Sequence, residues 1–359
     1  MLKKNLSWWN TNIGNIERKY LNNSFNKKYF SMGKITKKLE NKLSKIHNCK
    51  YCIVTNSGTS ALLLSVLSLE LKKNDEILIP AQTWIATAQA ASITGCKIRL
   101  IDVKKDSPVL NEQILEKVIT KKTKVIIPVH FHGHACNMMM INNIARKYRI
   151  HIIEDACKAM YVKYNNKFLG TIGDLGCFSF NMFSLISAGY GGFILTNNNK
   201  LYKKLLILRD HGMTRIKSDK YLFNSLNFKY SDLLSSIALG QIKKLKKKQQ
   251  NLAKIYLLYK KGLKNLKKTK LLNSESTFPI CIDVLTKNRN KLIDFLKKNN
   301  IDTSCFHPNL TEAKYLKNKG NYPNSKFFSS KCFMPPCGPD QSIKYVKKTI
   351  KKIQEFDKL

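Results

Sequence analysis

Lys124-Val125-Ile126-Ile127-Pro128-Val129-His130, then residues 138–148, then Ile150-His151-Ile152-Ile153-Glu154-Asp155 follow one another with only short breaks. The first and last runs are apolar at consecutive positions and rich in β-branched residues, so each reads as a strand buried on both faces. The middle run repeats apolar residues at helical spacing. Strand, helix, strand in that order is the unit of a parallel sheet covered by helices.

Working outward, the alternation continues on both sides. Toward the N-terminus lie a strand at 98–103, a helix at 83–93, a strand at 76–80 and an apolar helix at 60–71. Toward the C-terminus come a strand at 193–196 and a helix that ends near Arg209-Asp210-His211-Gly212. Residues 231–266 lack proline and keep a helical period, which predicts one long or slightly broken helix leading into a second lobe. That lobe, from about residue 245, shows a strand at 279–284, a helix at 288–299 and a basic amphipathic helix at 342–356. The expected fold class is therefore α/β, with a large domain over 1–244, including an N-terminal arm, and a smaller α+β domain over 245–359.

Composition narrows the functional classes. With 359 residues, 43% of them hydrophobic, the chain can build one large core and a smaller one. The formal charge of +41 comes almost entirely from lysine, spread along the chain together with abundant Asn and Ile. That pattern is what AT-rich codons produce and reads as a solvated lysine surface rather than a basic groove, so neither nucleic acid nor membrane is expected as a partner. No apolar run approaches the length needed to span a bilayer, and Met1-Leu2-Lys3-Lys4-Asn5 is not followed by a hydrophobic signal core, which predicts a cytoplasmic protein. The ten cysteines are scattered, as reduced thiols are; the one C-x-x-C, Cys49 to Cys52, lacks a second pair, so no metal site is expected.

Three short strings carry candidate chemistry. Asn56-Ser57-Gly58-Thr59-Ser60-Ala61-Leu62 sets small polar residues before an apolar helix, where free backbone N–H groups and hydroxyls cradle phosphate; a Ser/Thr-rich N-cap is also a common structural feature. Pro80-Ala81-Gln82-Thr83-Trp84 lies just past a strand's carboxyl end, where open parallel sheets bind ligands, and Trp84 there suits stacking on a flat heteroaromatic ring or simple burial under a helix. Glu154-Asp155 places two acids at the end of an apolar strand, where a buried carboxylate needs a cationic partner, such as a protonated pyridine nitrogen, or caps a helix.

Together with P-V-H-F-H-G (128–133), G-D-L-G-C-F-S-F (173–180), G-G-F-I-L-T (191–196), L-R-D-H-G (208–212) and S-L-N-F-K-Y-S-D (225–232), these strings resemble, in order and spacing from about residue 10 to the end, the DegT/StrS family of sugar aminotransferases. The resemblance implies the type I, aspartate aminotransferase fold of pyridoxal-phosphate enzymes, with a mainly parallel seven-stranded sheet in the large domain. It implies pyridoxal 5'-phosphate or its pyridoxamine form as cofactor, a nucleotide-linked keto sugar as substrate, glutamate as amino donor, and a role in polysaccharide or glycoconjugate biosynthesis. By position, Gly58, Thr59 and Ser179 would hold the cofactor phosphate, Trp84 would stack on the ring and Asp155 would pair with the ring nitrogen. Asn227 would reach a phosphate across the interface of a homodimer.

Three positions depart from the family pattern. Ser184 stands where the family carries the lysine that binds the cofactor aldehyde and moves protons; a hydroxyl does neither at useful rates. Lys158 stands where the family supplies a glutamine to the ring's phenolic oxygen, next to the aldehyde, so a possible substitute amine arises from a new direction. Tyr190 replaces a glutamate before the paired glycines. Three readings stay open on the sequence: an aminotransferase with a relocated lysine, a sugar dehydratase resembling the GDP-4-keto-6-deoxymannose 3-dehydratases, and an inactive homologue that binds cofactor or sugar. Arg209 and His307 are further residues for the substrate's neighbourhood, without an assigned role.

Overall fold

A computed structural model describes residues 7–26, 28, 30–214, 220–274, 276, 278–316 and 320–359. The first five residues, read above for a leader, lie outside them. Seven strands form the central sheet: β1 Tyr51–Thr55, β2 Glu76–Pro80, β3 Lys97–Ile101, β4 Thr123–Ile126, β5 His151–Asp155, β6 Leu175–Ser179 and β7 Gly192–Thr196. Their order is β1-β7-β6-β5-β4-β2-β3. Six run in one direction, and β7 lies antiparallel between β1 and β6. The expected mainly parallel seven-stranded α/β sheet is thus present.

Burial explains the sequence pattern. β2, β6 and β7 are buried at every residue. Helices cover both faces, so an alternating pattern would have left polar side chains without water. Two separate apolar clusters result, one built on Ile53, Ile79, Ile127, Ile153 and Ile194, the other on Val54, Leu78, Ile126, Ile152 and Phe193. Consecutive residues of one strand feed opposite clusters.

Chain order reverses between β2 and β4: β3 lies on one side of β2, and all later strands lie on the other. Crevices for ligands open beyond the carboxyl ends of strands at such a reversal. The segments that follow β1, β2, β4, β5 and β6 all meet there.

Several elements differ from the sequence reading. The region 231–266 is two helices, Asp232–Lys243 and Leu245–Leu263, with Lys244 at φ −95° and ψ −2° between them. The strand expected over 279–284 is instead Val284–Thr286. Residues 279–283 cannot join the ladder because the N–H groups of Ile280 and Cys281 donate to the His132 carbonyl, at 2.8 and 3.3 Å. A four-stranded antiparallel sheet, Thr269–Leu271, Val284–Thr286, Cys332–Met334 and Ser304–Cys305 in that spatial order, was largely invisible in the sequence. Two N-terminal helices, Asn15–Phe25 and Lys34–Ile46, make up most of what had been read as an arm.

Candidate active site

One cavity of about 460 Å³ opens at the reversal point. It draws on five strand ends and on the C-terminal segment, and Gly58, Thr59, Trp84, Asp155, Lys158 and Ser179 all line it.

The helix Gly58–Ser68 points its N-terminus into this cavity. Ser57 caps it, its hydroxyl accepting from the Ser60 N–H at 3.0 Å. A Cβ on Gly58 would sit 2.9 Å from the Ser179 Cβ and 3.1 Å from the Cys157 Sγ. Only glycine therefore lets the helix start approach Ser179, and the result is a pocket of free N–H groups and hydroxyls at the positive end of a helix dipole.

The paired acids divide their work. Glu154 is fully buried and accepts from the Gly170, Ile172 and Gly173 N–H groups at 2.8, 2.6 and 2.6 Å, and its Oε2 lies 2.9 Å from His130 Nε2. It organises the turn before β6. Asp155 faces the cavity, its Oδ2 accepting from the Thr87 hydroxyl at 2.7 Å and its Oδ1 from the Cys157 N–H at 3.1 Å. No helix follows it, so it is not a cap. A carboxylate held by two donors on a cavity wall is preorganised for a cation.

Trp84 is 56% exposed and presents its ring to the cavity rather than to the core. His307 meets it edge-on, with ring centroids 4.6 Å apart. Burial, with His132 and Lys158 nearby, depresses the His307 pKa to about 3. Arg209 is elsewhere: it is buried against Glu40 at 2.5 Å and the Val54 carbonyl at 3.2 Å. The sequence placed these two residues alike, and only His307 belongs to the site.

Ser184 is 2% exposed, and its side chain is not part of the cavity lining. Its hydroxyl donates to Asn181 Oδ1 at 2.9 Å. The same oxygen receives Lys158 Nζ at 3.4 Å, and that amine also donates to the Phe183 carbonyl at 2.5 Å. The amine lies 5.4 Å from the Phe183 ring centre and 5.8 Å from the Trp9 ring. Burial lowers the Lys158 pKa from its ordinary value. Among the described residues, Lys158 is the one lysine on the cavity wall. Lys248, which unlike Lys158 is fully buried, reaches the Leu185 carbonyl at 3.4 Å and pairs with Asp340.

Asn227 stands outside the cavity and is exposed. Its carbonyl accepts from Asn56 Nδ2 at 3.3 Å, which places it beside the start of the Ser57–Thr59 segment. Tyr190, 76% exposed, lines the rim.

Sequence reasoning missed His132, His134 and Asp283. His132 Nδ1 lies 2.9 Å from Asp283 Oδ1, and His134 Nε2 lies 2.9 Å from Asp283 Oδ2. All three are buried, and His132 lines the cavity. Burial alone would raise the Asp283 carboxyl; the two imidazoles outweigh it and bring the pKa down to about 2.

The fold is that of the type I pyridoxal-phosphate enzymes, and this cavity is the candidate cofactor site. Residues 11–354 match the DegT/DnrJ/EryC1/StrS aminotransferase family, and the chain belongs to that family. It is 28% identical to the GDP-perosamine synthase of Escherichia coli O157:H7 over 347 residues, spanning 95% of each chain. Its structure is similar to that of Helicobacter pylori PseC, an aminotransferase of pseudoaminic acid biosynthesis, with a TM-score of 0.92 at 21% identity over 99% of this chain and 100% of that one. It is also similar to E. coli GDP-4-keto-6-deoxy-D-mannose-3-dehydratase with bound hydrated PLP, with a TM-score of 0.91 at 23% identity over 97% and 99%. At those identities the structural likeness establishes the fold.

Proposed function

We propose that the protein is a pyridoxal-phosphate enzyme that transfers an amino group from glutamate to a nucleotide-linked keto sugar for polysaccharide or glycoconjugate synthesis. The observation that carries this reading is the convergence, in one cavity, of a helix N-terminus, a fixed carboxylate, an exposed tryptophan face and a single half-buried amine. The residues fit the cofactor: the helix N-terminus that Gly58 lets approach Ser179 suits a phosphate, with Thr59 and Ser179 as donors, and Asp155 suits a protonated ring nitrogen. Pyridoxal phosphate, when bound, supplies an electron-withdrawing ring and an aldehyde carbon that takes up and gives back the amino group.

The chain's own residues do the rest. Asp155 would pair with the protonated ring nitrogen, Trp84 would cover a ring face, and Lys158 would be the amine offered to the aldehyde in place of the absent family lysine. A lysine disfavoured in its charged form by burial is a better nucleophile near neutrality than an exposed one. Asn227, exposed beside the Ser57–Thr59 segment, serves the phosphate site of a second copy, so the working form is a homodimer. Among the described residues no helix is long and apolar enough to cross a membrane.

The test is borohydride reduction of the protein mixed with pyridoxal phosphate, followed by peptide mass mapping. Added cofactor mass on the Lys158 peptide is expected; bound cofactor that leaves Lys158 unmodified sinks the relocated-lysine assignment. Incubation with a GDP-linked 4-keto sugar and glutamate should then yield an amino sugar. A deoxygenated sugar instead would move the assignment to the dehydratase reaction of the similar E. coli protein.

A further inference from the structure

A family lysine performs two jobs, holding an aldehyde and carrying a proton, and nothing in the chemistry requires one residue to do both. We infer that this chain has divided them, and that His132, oriented by Asp283, is the group that carries the proton. The inference rests on the cofactor and amino donor proposed above.

The geometry is that of a carboxylate-oriented base. Asp283 is ionised and only accepts, so the ring nitrogen 2.9 Å from it, His132 Nδ1, must be the one that bears the proton. In the neutral ring Nε2, at the far side, is then the acceptor, and His132 lines the cavity. The three alternatives nearby are occupied or unsuited. His130 Nε2 is bonded to Glu154, and its Nδ1 accepts from the Cys136 N–H at 3.2 Å. His307, 6.3 Å from His132 ring to ring, has no carboxylate on it. Lys158 Nζ is tied to Asn181 and Phe183.

The backbone is also committed to this placement. His132 has φ 53° and ψ 19°, a left-handed conformation that costs energy for a side-chain-bearing residue. The cost is sustained because its carbonyl is held by Ile280 and Cys281, and because the following Gly133 leaves no room for a Cβ, which would lie 2.7 Å from the Ile280 nitrogen. His134, on the second oxygen of Asp283, is not on the cavity wall. It fixes the carboxylate.

The step balances without oxidant or reductant. The donor's Cα–H bond breaks, its electron pair stays with the ligand, and the proton moves to His132 Nε2. The imidazolium so formed is stabilised by Asp283 and returns a proton to the carbon that gains hydrogen.

The experiment measures exchange of the glutamate Cα hydrogen with D2O in the full-length protein loaded with pyridoxal phosphate, alongside thermal melting and cofactor absorbance. His132→Gln is expected to slow exchange by about 10²-fold or more while binding cofactor and melting as the parent does, and His134→Gln, which only loosens Asp283, to slow it by no more than about tenfold. His132→Gly suits the left-handed backbone and opens a space for free imidazole, which should restore exchange. In the cofactor-free protein, ¹⁵N NMR should find the His132 proton on Nδ1. Exchange within about threefold of the parent in His132→Gln would falsify the inference, given that removing a proton carrier costs far more. So would equal losses of melting temperature and exchange in His132→Gln and His134→Gln without imidazole rescue, which mark a purely structural clamp. A proton on Nε2, or a parent that binds cofactor but exchanges nothing, overturns it as well. Failure of the underlying reading is seen separately, as a parent protein that binds no pyridoxal phosphate.

Discussion

Ser184 and Lys158 hang on one amide oxygen, that of Asn181, and the consequence is a pair of opposed substitutions. Lys158→Gln should abolish the borohydride-trapped adduct and weaken cofactor binding on the order of tenfold, read by absorbance titration, since a covalent hold worth about 1.4 kcal/mol is lost. Adding Ser184→Lys in that background should bring the adduct back on the peptide spanning position 184, because that loop position needs only a longer side chain to pass Asn181 and enter the cavity. An adduct that survives Lys158→Gln alone would show that another amine is used, with Lys248, buried against the Leu185 carbonyl, a candidate. His307 supplies a pH prediction of known sign. Its folded value of about 3 lies below the ordinary 6.5, so the unfolded chain takes up the proton first as pH falls, and stability is lost between about 6.5 and 3. His307→Gln should therefore lose less melting temperature than the parent between pH 7 and 4.5; parallel curves would contradict the burial argument.

At the scale of elements, the helix Gly58–Ser68 and β6 are held at a distance set by one missing methyl. Gly58→Ala must push the helix start away from Ser179, where the Cβ would otherwise sit at 2.9 Å. Overpacking of this kind costs about 1–3 kcal/mol. Because the displaced groups are the proposed phosphate donors, cofactor affinity measured by titration should fall by more than the melting temperature suggests. A variant that unfolds more easily yet binds pyridoxal phosphate as the parent does would detach this cradle from the cofactor. The same elements show what the sequence made legible. β2, β5 and β7 were readable because burial on both faces writes itself as unbroken apolar runs, and Asp155 and Trp84 because they stand at the ends of such runs. The N-terminal helices escaped because lysine and asparagine dominate their exposed faces. The strand boundary at Val284 escaped because a loop some 150 residues earlier, not the local pattern, takes the Ile280 and Cys281 N–H groups. His132 and Asp283 were hidden for the same reason: they are 151 positions apart, and no spacing rule links them.

At the scale of the whole molecule, the cavity holds every proposed cofactor residue except Asn227, which is exposed outside the lining and is proposed to serve a second copy. If each site takes Lys158 from one subunit and Asn227 from the other, two defective proteins can repair each other. Asn227→Ala spoils only the site of its partner, and Lys158→Gln only its own. In a dimer of one copy of each, one site has both defects and the other has neither. Random reassociation of equal amounts makes half the dimers mixed, each with one intact site, so recovered turnover should approach roughly a quarter of the parent's. If both residues of a site came from the same chain, every site in every mixture would carry one defect, and mixing would restore nothing. Recovery therefore distinguishes a site shared across a two-fold axis from a site complete within one chain. The measurement needs only the two variants, their separate residual rates and the rate after reassociation.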